Sequence, residues 1–311
     1  MPSSCAFLFP GQGSQHVGMG KGLFEGYPSV KRLFAEASEV VGKNLEKLCF
    51  EGPEAELGLT DNVQPAITLV NLACLHVLRE EGISPSAAAG HSLGEYAALC
   101  AAGVFTFSDT MRLVQARGAA MREAAERNPG GMTAVFGLDR ETLSAICKEA
   151  MGAGSVEVAN HNSPAQVVLT GSREGLQKAA ELAKKKGAKL TVPLKVSGAW
   201  HSRFMEGAQQ RMRQVLAECA IAPPSIPVIA NITARAFPGD PEQIREALVA
   251  QIVSPVLWKD SIEGLVRAGH RLFIEAGPGK VLASLMRDIN REVRALGAQQ
   301  PEDLLKLRED R

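Results

Sequence analysis

No C-x-x-C pair occurs among the six cysteines (Cys5, Cys49, Cys74, Cys100, Cys147 and Cys219), and most of them sit inside apolar runs. The chain therefore lacks a paired-thiol motif, and the pattern predicts buried free thiols in a reducing, cytosolic compartment. Net charge is missing too: 34 basic side chains meet 34 acidic ones, so no global field draws the chain to nucleic acid or to a membrane. The start, Met1-Pro2-Ser3-Ser4 running into Cys5-Ala6-Phe7-Leu8-Phe9, has no basic segment and too few apolar residues for a signal peptide or a spanning helix. There is no internal repeat and no low-complexity segment. What is present is length and apolar content. A chain of 311 residues, 45% hydrophobic and 22% charged, can bury a sizeable core in one large domain or two linked ones.

Cys5 to Phe9 reads as a buried strand ended by Pro10-Gly11 and the turn Gly11-Gln12-Gly13-Ser14-Gln15. Pro28 and Gly42 bracket a helix, a longer one runs from about Asn62 to Glu81, and Ser108 or Asp109 caps another that continues to about Glu126. Asn128-Pro129-Gly130-Gly131 breaks the pattern. The next stretch reads strand (Met132 to Phe136), helix (Arg140 to Met151), strand (Val156 to Asn160), turn (Ser163-Pro164), strand (Gln166 to Thr170), helix (Arg173 to Lys186), strand (Lys189 to Pro193). That order is the β-α-β-β-α-β of a ferredoxin-like motif. The expected organisation is α/β, with a small domain at 127–197 inserted into a large one formed by 1–126 and 198–311. The large domain resumes with a helix after His201, strand Val228 to Asn231, two helices between Pro241 and Ala268, strand Arg271 to Glu275, the turn Gly277-Pro278-Gly279 and a last helix. The tail from Pro301 to Arg311 reads as a short or frayed helix.

Gly90-His91-Ser92-Leu93-Gly94 lies between the small-residue run Ala87-Ala88-Ala89 and the helix former Glu95-Tyr96-Ala97-Ala98-Leu99. A G-x-S-x-G between a buried strand and a helix is the context of a nucleophile elbow, which lifts the serine hydroxyl out of the packing. Serine needs a base, and histidine is the usual one at neutral pH. Of the six histidines, His91 adjoins Ser92 and is placed to support the turn. His76 sits on a helix, and His16, His161 and His270 lie in turns without a helpful pattern. His201 stands in the loop Ser197-Gly198-Ala199-Trp200-His201-Ser202 that joins the small domain back to the large one, where pockets form. Arg117 falls in a gap of the stripe Met111, Val114 and Met121, and a guanidinium there calls for an anion, either an internal carboxylate or a substrate's. The loop at Gly11 lacks both the G-x-G-x-x-G spacing and a Walker lysine, so an N-H for an oxyanion, beside that of Leu93, is its better use.

Pro10-Gly11-Gln12-Gly13-Ser14-Gln15, Gly90-His91-Ser92-Leu93-Gly94-Glu95, Asn162-Ser163-Pro164, the His201 loop and Glu275-Ala276-Gly277-Pro278-Gly279 together resemble malonyl-CoA:acyl carrier protein transacylase over nearly the whole chain. The resemblance implies an α/β-hydrolase-like large domain carrying a ferredoxin-like small one. It implies transfer of malonyl from malonyl-CoA to the phosphopantetheine thiol of an acyl carrier protein through Ser92, with no cofactor or metal. Carried over, Ser92 is the nucleophile, His201 its base and Arg117 the grip on the malonyl carboxylate. Gln12 and Leu93 supply oxyanion-hole N-H groups, and Gln251 orients His201 through its carbonyl. Trp200 stands where malonyl-selective members commonly have phenylalanine, which implies exclusion of methylmalonyl. Acyl carrier proteins are acidic, and Lys184, Lys185, Lys186, Lys189 and Arg287 are candidates for docking them. A serine hydrolase or thioesterase, a polyketide-pathway acyltransferase and a catalytically silent carrier-binding module are the rival readings.

Overall fold

A computed structural model describes residues 5–303. It contains nine strands: β1 (Cys5–Phe9), β2 (Ala87–Gly90), β3 (Gly131–Phe136), β4 (Val156–Ser163), β5 (Gln166–Gly171), β6 (Leu190–Pro193), β7 (Val228–Ile229), β8 (Leu272–Glu275) and β9 (Arg294–Gly297). They form a parallel five-stranded sheet of order β7-β2-β1-β8-β9 and an antiparallel four-stranded sheet of order β4-β5-β3-β6.

The parallel sheet is buried on both faces, which is why its strands read as continuous apolar runs instead of alternating ones. Along β1, Cys5, Phe7 and Phe9 enter one hydrophobic cluster, while Ala6 and Leu8 enter another. The first cluster is covered by the helices Thr60–Glu80, Gly94–Ala101, Phe107–Arg127 and Glu206–Ala217, the second by Trp258–Arg267 and Val281–Ile289. In the antiparallel sheet, Val135, Val156, Val167 and Leu169 pack on the helices Arg140–Ala150 and Arg173–Lys185. Its other face, with Met132, Ala134, Ala159 and Val168, joins the main core.

Several local expectations are corrected. Thr106, not Ser108 or Asp109, caps the helix Phe107–Arg127 by accepting from the Asp109 N-H at 3.1 Å, a contact worth about 1 kcal/mol. The strand expected at Val228 to Asn231 ends at Ile229, because the Asn231 N-H leaves the ladder for the Glu95 carboxyl. β4 extends to Ser163, and the short helices Lys21–Gly26, Leu45–Glu51 and Glu54–Leu57 and strand β9 were not anticipated. β9 is an edge strand with no buried residue, so it has no apolar run to announce it. All six cysteines are unpaired, four of them buried. Among the described residues no helix is long and apolar enough to cross a membrane. Residues 301–303 are helical; the rest of the expected tail helix, to Arg311, and the start at Met1 to Ser4 lie outside the described residues.

Candidate active site

Parallel strands put all their carboxyl ends along one edge of the sheet, and ligands of open α/β sheets bind there. β1 delivers Gly11 and Gln12 to that edge, β2 delivers Ser92, β7 delivers Asn231, and β8 delivers Gly277-Pro278-Gly279. The first two loops touch backbone to backbone. A Cβ on Gly94 would overlap the Phe9 carbonyl, and one on Gly11 would overlap the His91 carbonyl. Asn71 fixes the same loop by donating to the Pro10 carbonyl at 2.9 Å.

Ser92 holds a left-handed backbone, φ 50°, and so does His201, φ 60°. Each costs on the order of 1–2 kcal/mol and persists because its neighbours over-determine it. At Ser92 those neighbours are explicit. Its N-H donates to Asn231 Oδ1 at 2.7 Å, and its carbonyl accepts from Gln251 Nε2 at 2.9 Å. The Ser92 Oγ then lies 2.7 Å from His201 Nε2. His201 Nδ1 faces the carbonyls of Gln251 and Ser254, both at 3.0 Å. Carbonyls only accept, so Nδ1 carries the hydrogen and Nε2 is left to accept the serine proton. Burial, reinforced by the nearby Arg117 charge, pulls the His201 pKa down to about 3. The imidazole is therefore neutral at pH 7, with its Nε2 lone pair directed at the Ser92 hydroxyl.

Arg117 is 1% exposed and sits where the apolar stripe of its helix meets the elbow. Its Nη1 donates to Gln64 Oε1 at 2.9 Å, and its Nη2 donates to Ser92 Oγ and to Gln251 Oε1, both at 3.1 Å. The guanidinium lies 5.8 Å from the centre of the Tyr96 ring, and its buried Nε has no hydrogen-bond partner among the described residues. Burial lowers its pKa from the ordinary arginine value, with Tyr96 and Glu95 acting against that shift. Its Nη2 is thus taken up by the nucleophile's hydroxyl and the Gln251 amide oxygen, neither of them a carboxylate.

The structure thus brings Ser92, His201, Arg117 and Gln251 into direct contact. Leu93 is buried as the residue before the helix Gly94–Ala101, and Gln12 is half-buried. Neither donates its N-H to another described residue. Trp200 is buried beside His201, but its indole packs over Gly198, and its Nε1 has no hydrogen-bond partner among the described residues. It makes no hydrogen bond or ring contact with Ser92 or Arg117 among the described residues. His91 supports the elbow from outside: its Nε2 pairs with Asn162 Oδ1 at 2.8 Å, and its ring lies against Trp258. Asn162 donates in turn to Gln166 Oε1 at 2.9 Å, tying the elbow to β4 and β5. A second tie comes from Val256, whose N-H and carbonyl pair with Ala159 and His161 of β4.

Gln64, Glu95 and Asn231 belong to this constellation and were missed by residue-level reading. Glu95 had a visible signal, a charge in the first turn of an otherwise apolar helix. Gln64 and Asn231 had none, since amides are common on helices and at strand ends. Among the described residues no cluster of three or more His, Cys, Asp or Glu could hold a metal ion.

A nucleophile elbow with a neutral histidine base at the edge of a parallel sheet defines an acyl-transferring α/β protein, and the comparisons agree. The model of the acyl transferase domain family matches residues 6–303, and the chain belongs to that family. It is 44% identical over 303 residues to the malonyl CoA-acyl carrier protein transacylase of Bacillus subtilis (strain 168), covering 97% of this chain and 95% of that protein. The Escherichia coli (strain K12) protein of the same name is 40% identical, with 95% and 96% covered. Among solved structures, the acyl-carrier-protein S-malonyltransferase of Bartonella henselae superposes with a TM-score of 0.95 at 38% identity, covering 99% of both chains. A malonyl transacylase solved in complex with a type II polyketide acyl carrier protein superposes at 0.96 and 39% identity, covering 99% of this chain and all of that one.

Proposed function

We propose that this chain transfers malonyl from malonyl-CoA to the phosphopantetheine thiol of an acyl carrier protein. The observation that carries this reading is one oxygen, Ser92 Oγ, held between His201 Nε2 at 2.7 Å and Arg117 Nη2 at 3.1 Å. His201 takes the Ser92 proton as Oγ bonds to the thioester carbonyl carbon. The resulting oxyanion meets the N-H groups of Gln12 and Leu93. The carbon-sulfur bond breaks, and the CoA sulfur leaves with the proton from His201. The malonyl-serine ester is then attacked by the carrier's thiol, which gives its proton to His201, and the serine oxygen recovers it as the new thioester forms. Arg117 pairs with the free carboxylate throughout, exchanging its contact with Ser92 for a charge-assisted one. Trp200 is the wall that disfavours a methyl on the malonyl α-carbon, and the reaction needs no cofactor.

The architecture supports the finer description as well. The order β4-β5-β3-β6 with two helices on one face is that of a ferredoxin-like unit, inserted at 127–197 into an α/β-hydrolase-like unit formed by 1–126 and 198–311. Lys184, Lys185, Lys186, Lys189 and Arg287 are all exposed, as a surface for an acidic carrier requires.

The test is intact mass after incubation with malonyl-CoA, followed by addition of carrier protein. A malonyl adduct that is absent from Ser92→Ala and discharges onto the carrier is expected. Discharge to water at the same rate with and without carrier would make the chain a thioesterase, and no adduct at all would end the enzymatic reading.

A further inference from the structure

The step sequence above uses no carboxyl of the protein, yet one is buried at its centre. Glu95 is 1% exposed in the first turn after the elbow and touches neither reacting side chain. Both of its oxygens are occupied: Oε1 accepts from the Asn231 N-H at 2.6 Å, and Oε2 accepts from Gln251 Nε2 at 2.7 Å. The second contact fixes the Gln251 amide. With Nε2 shared between Glu95 and the Ser92 carbonyl, the amide oxygen is turned toward Arg117 Nη2. The first contact fixes Asn231, whose side chain bonds the Gly90 carbonyl and the Ser92 N-H, both at 2.7 Å. One carboxyl therefore holds both polar residues that grip the elbow backbone.

Burial pushes the Glu95 carboxyl pKa up to about 8, against the two hydrogen bonds it accepts, so near pH 7 it offers its geometry more than a charge. Among the described residues Arg117 donates to Gln64, Ser92 and Gln251, none of them an acid. An acid bonded directly to it would occupy the donors that a substrate carboxylate needs. We propose that Glu95 is a positioning residue that, through the side chain of Gln251, keeps Arg117 aimed while leaving its Nη2 free of a direct ion pair. The inference rests on the reading of Arg117 as the carboxylate clamp.

The experiment compares malonyl-CoA with acetyl-CoA as donors for the full chain and for Glu95→Gln. A glutamine has one acceptor oxygen, so one of the two donors loses its partner. The kcat/KM for malonyl should fall about tenfold to a hundredfold, chiefly through KM, and acetyl transfer several-fold less, because a loosened elbow affects both donors and a misaimed Arg117 affects malonyl alone. A parallel fall for both donors, or an unchanged preference, overturns the proposal. Should Glu95→Gln fail to fold, Gln64→Glu carries the test: it places a carboxylate directly on Arg117 without touching the elbow and should also depress malonyl more than acetyl, and equal effects overturn the idea. Failure of the wild-type chain to form a malonyl adduct would remove the functional reading and this inference together, whereas unchanged preference over intact wild-type activity removes this inference alone.

Discussion

Ser92 and Asn231 lie on loops leaving the parallel sheet, Arg117 and Gln251 on helices of the same core and His201 on the segment after β6, whereas the strands of the antiparallel sheet reach the site only at second hand. They do so through Asn162 on His91 and through β4 paired to the segment around Val256. The contrast follows from strand direction. Parallel strands end together and pool their loops on one edge, while antiparallel strands send successive ends to opposite edges. The parallel sheet is therefore where distant parts of the chain converge, and the antiparallel one braces what has converged. His201 shows the dependence: it follows the last antiparallel strand, yet its partners Gln251 and Ser254 belong to the segment that leads into Val256.

Removing groups from the convergent edge should therefore be far more damaging than loosening the brace. Ser92→Ala should lower transfer at least about ten-thousandfold and abolish the acyl adduct, read by mass and by turnover. Arg117→Ala should lower malonyl transfer about a hundredfold, with acetyl transfer retained or raised; parallel losses would make Arg117 structural. Acid should act on the same edge through His201. An unfolded histidine takes a proton near pH 6.5, and the folded one not until about 3. Its contribution to stability is thus fully present above 6.5 and lost as pH falls from there toward 3. Denaturant titrations of wild type and His201→Gln at neutral pH and at about pH 5 should show a smaller pH dependence in the variant. On the brace, Asn162→Ala should cost only about 1 kcal/mol and reduce turnover a few-fold, because the His91 ring keeps its contact with Trp258. A loss as large as that of Arg117→Ala would erase the distinction between the two sheets. Farthest away, Leu190→Thr on the exposed edge strand β6 should change stability by about 0.5 kcal/mol or less in a thermal melt.

What could be read from the sequence was what local backbone geometry demands. The elbow was legible because side chains at Gly90 and Gly94 would collide with backbone, so only glycine serves there. The six elements from β3 to β6 were legible within a few residues, since each carries its own apolar period and cap. Arg117 stood out because it interrupts a stripe. The residues that hold Arg117 and Ser92 did not stand out, because Gln64, Gln251 and Asn231 acquire their meaning only across contacts spanning 53 to 139 positions in the chain. Gln251 was reached by resemblance alone. Glu95 carries a signal, a charge in the first turn of an apolar helix, but an acid at a helix start is ordinarily exposed, and only the fold shows this one sealed beneath it.

The two carbonyls at His201 Nδ1 bear on how freely the proposed reaction runs in both directions. A carboxylate there would favour the protonated ring strongly and make the proton slow to return; neutral dipoles hold it less tightly. Malonyl passes between one phosphopantetheine thioester and another of the same chemistry, so neither direction has much driving force. A base that returns its proton quickly suits an exchange that must run both ways. The chain would then act as an equilibrator, setting the loading of the carrier pool by the ratio of acylated to free CoA.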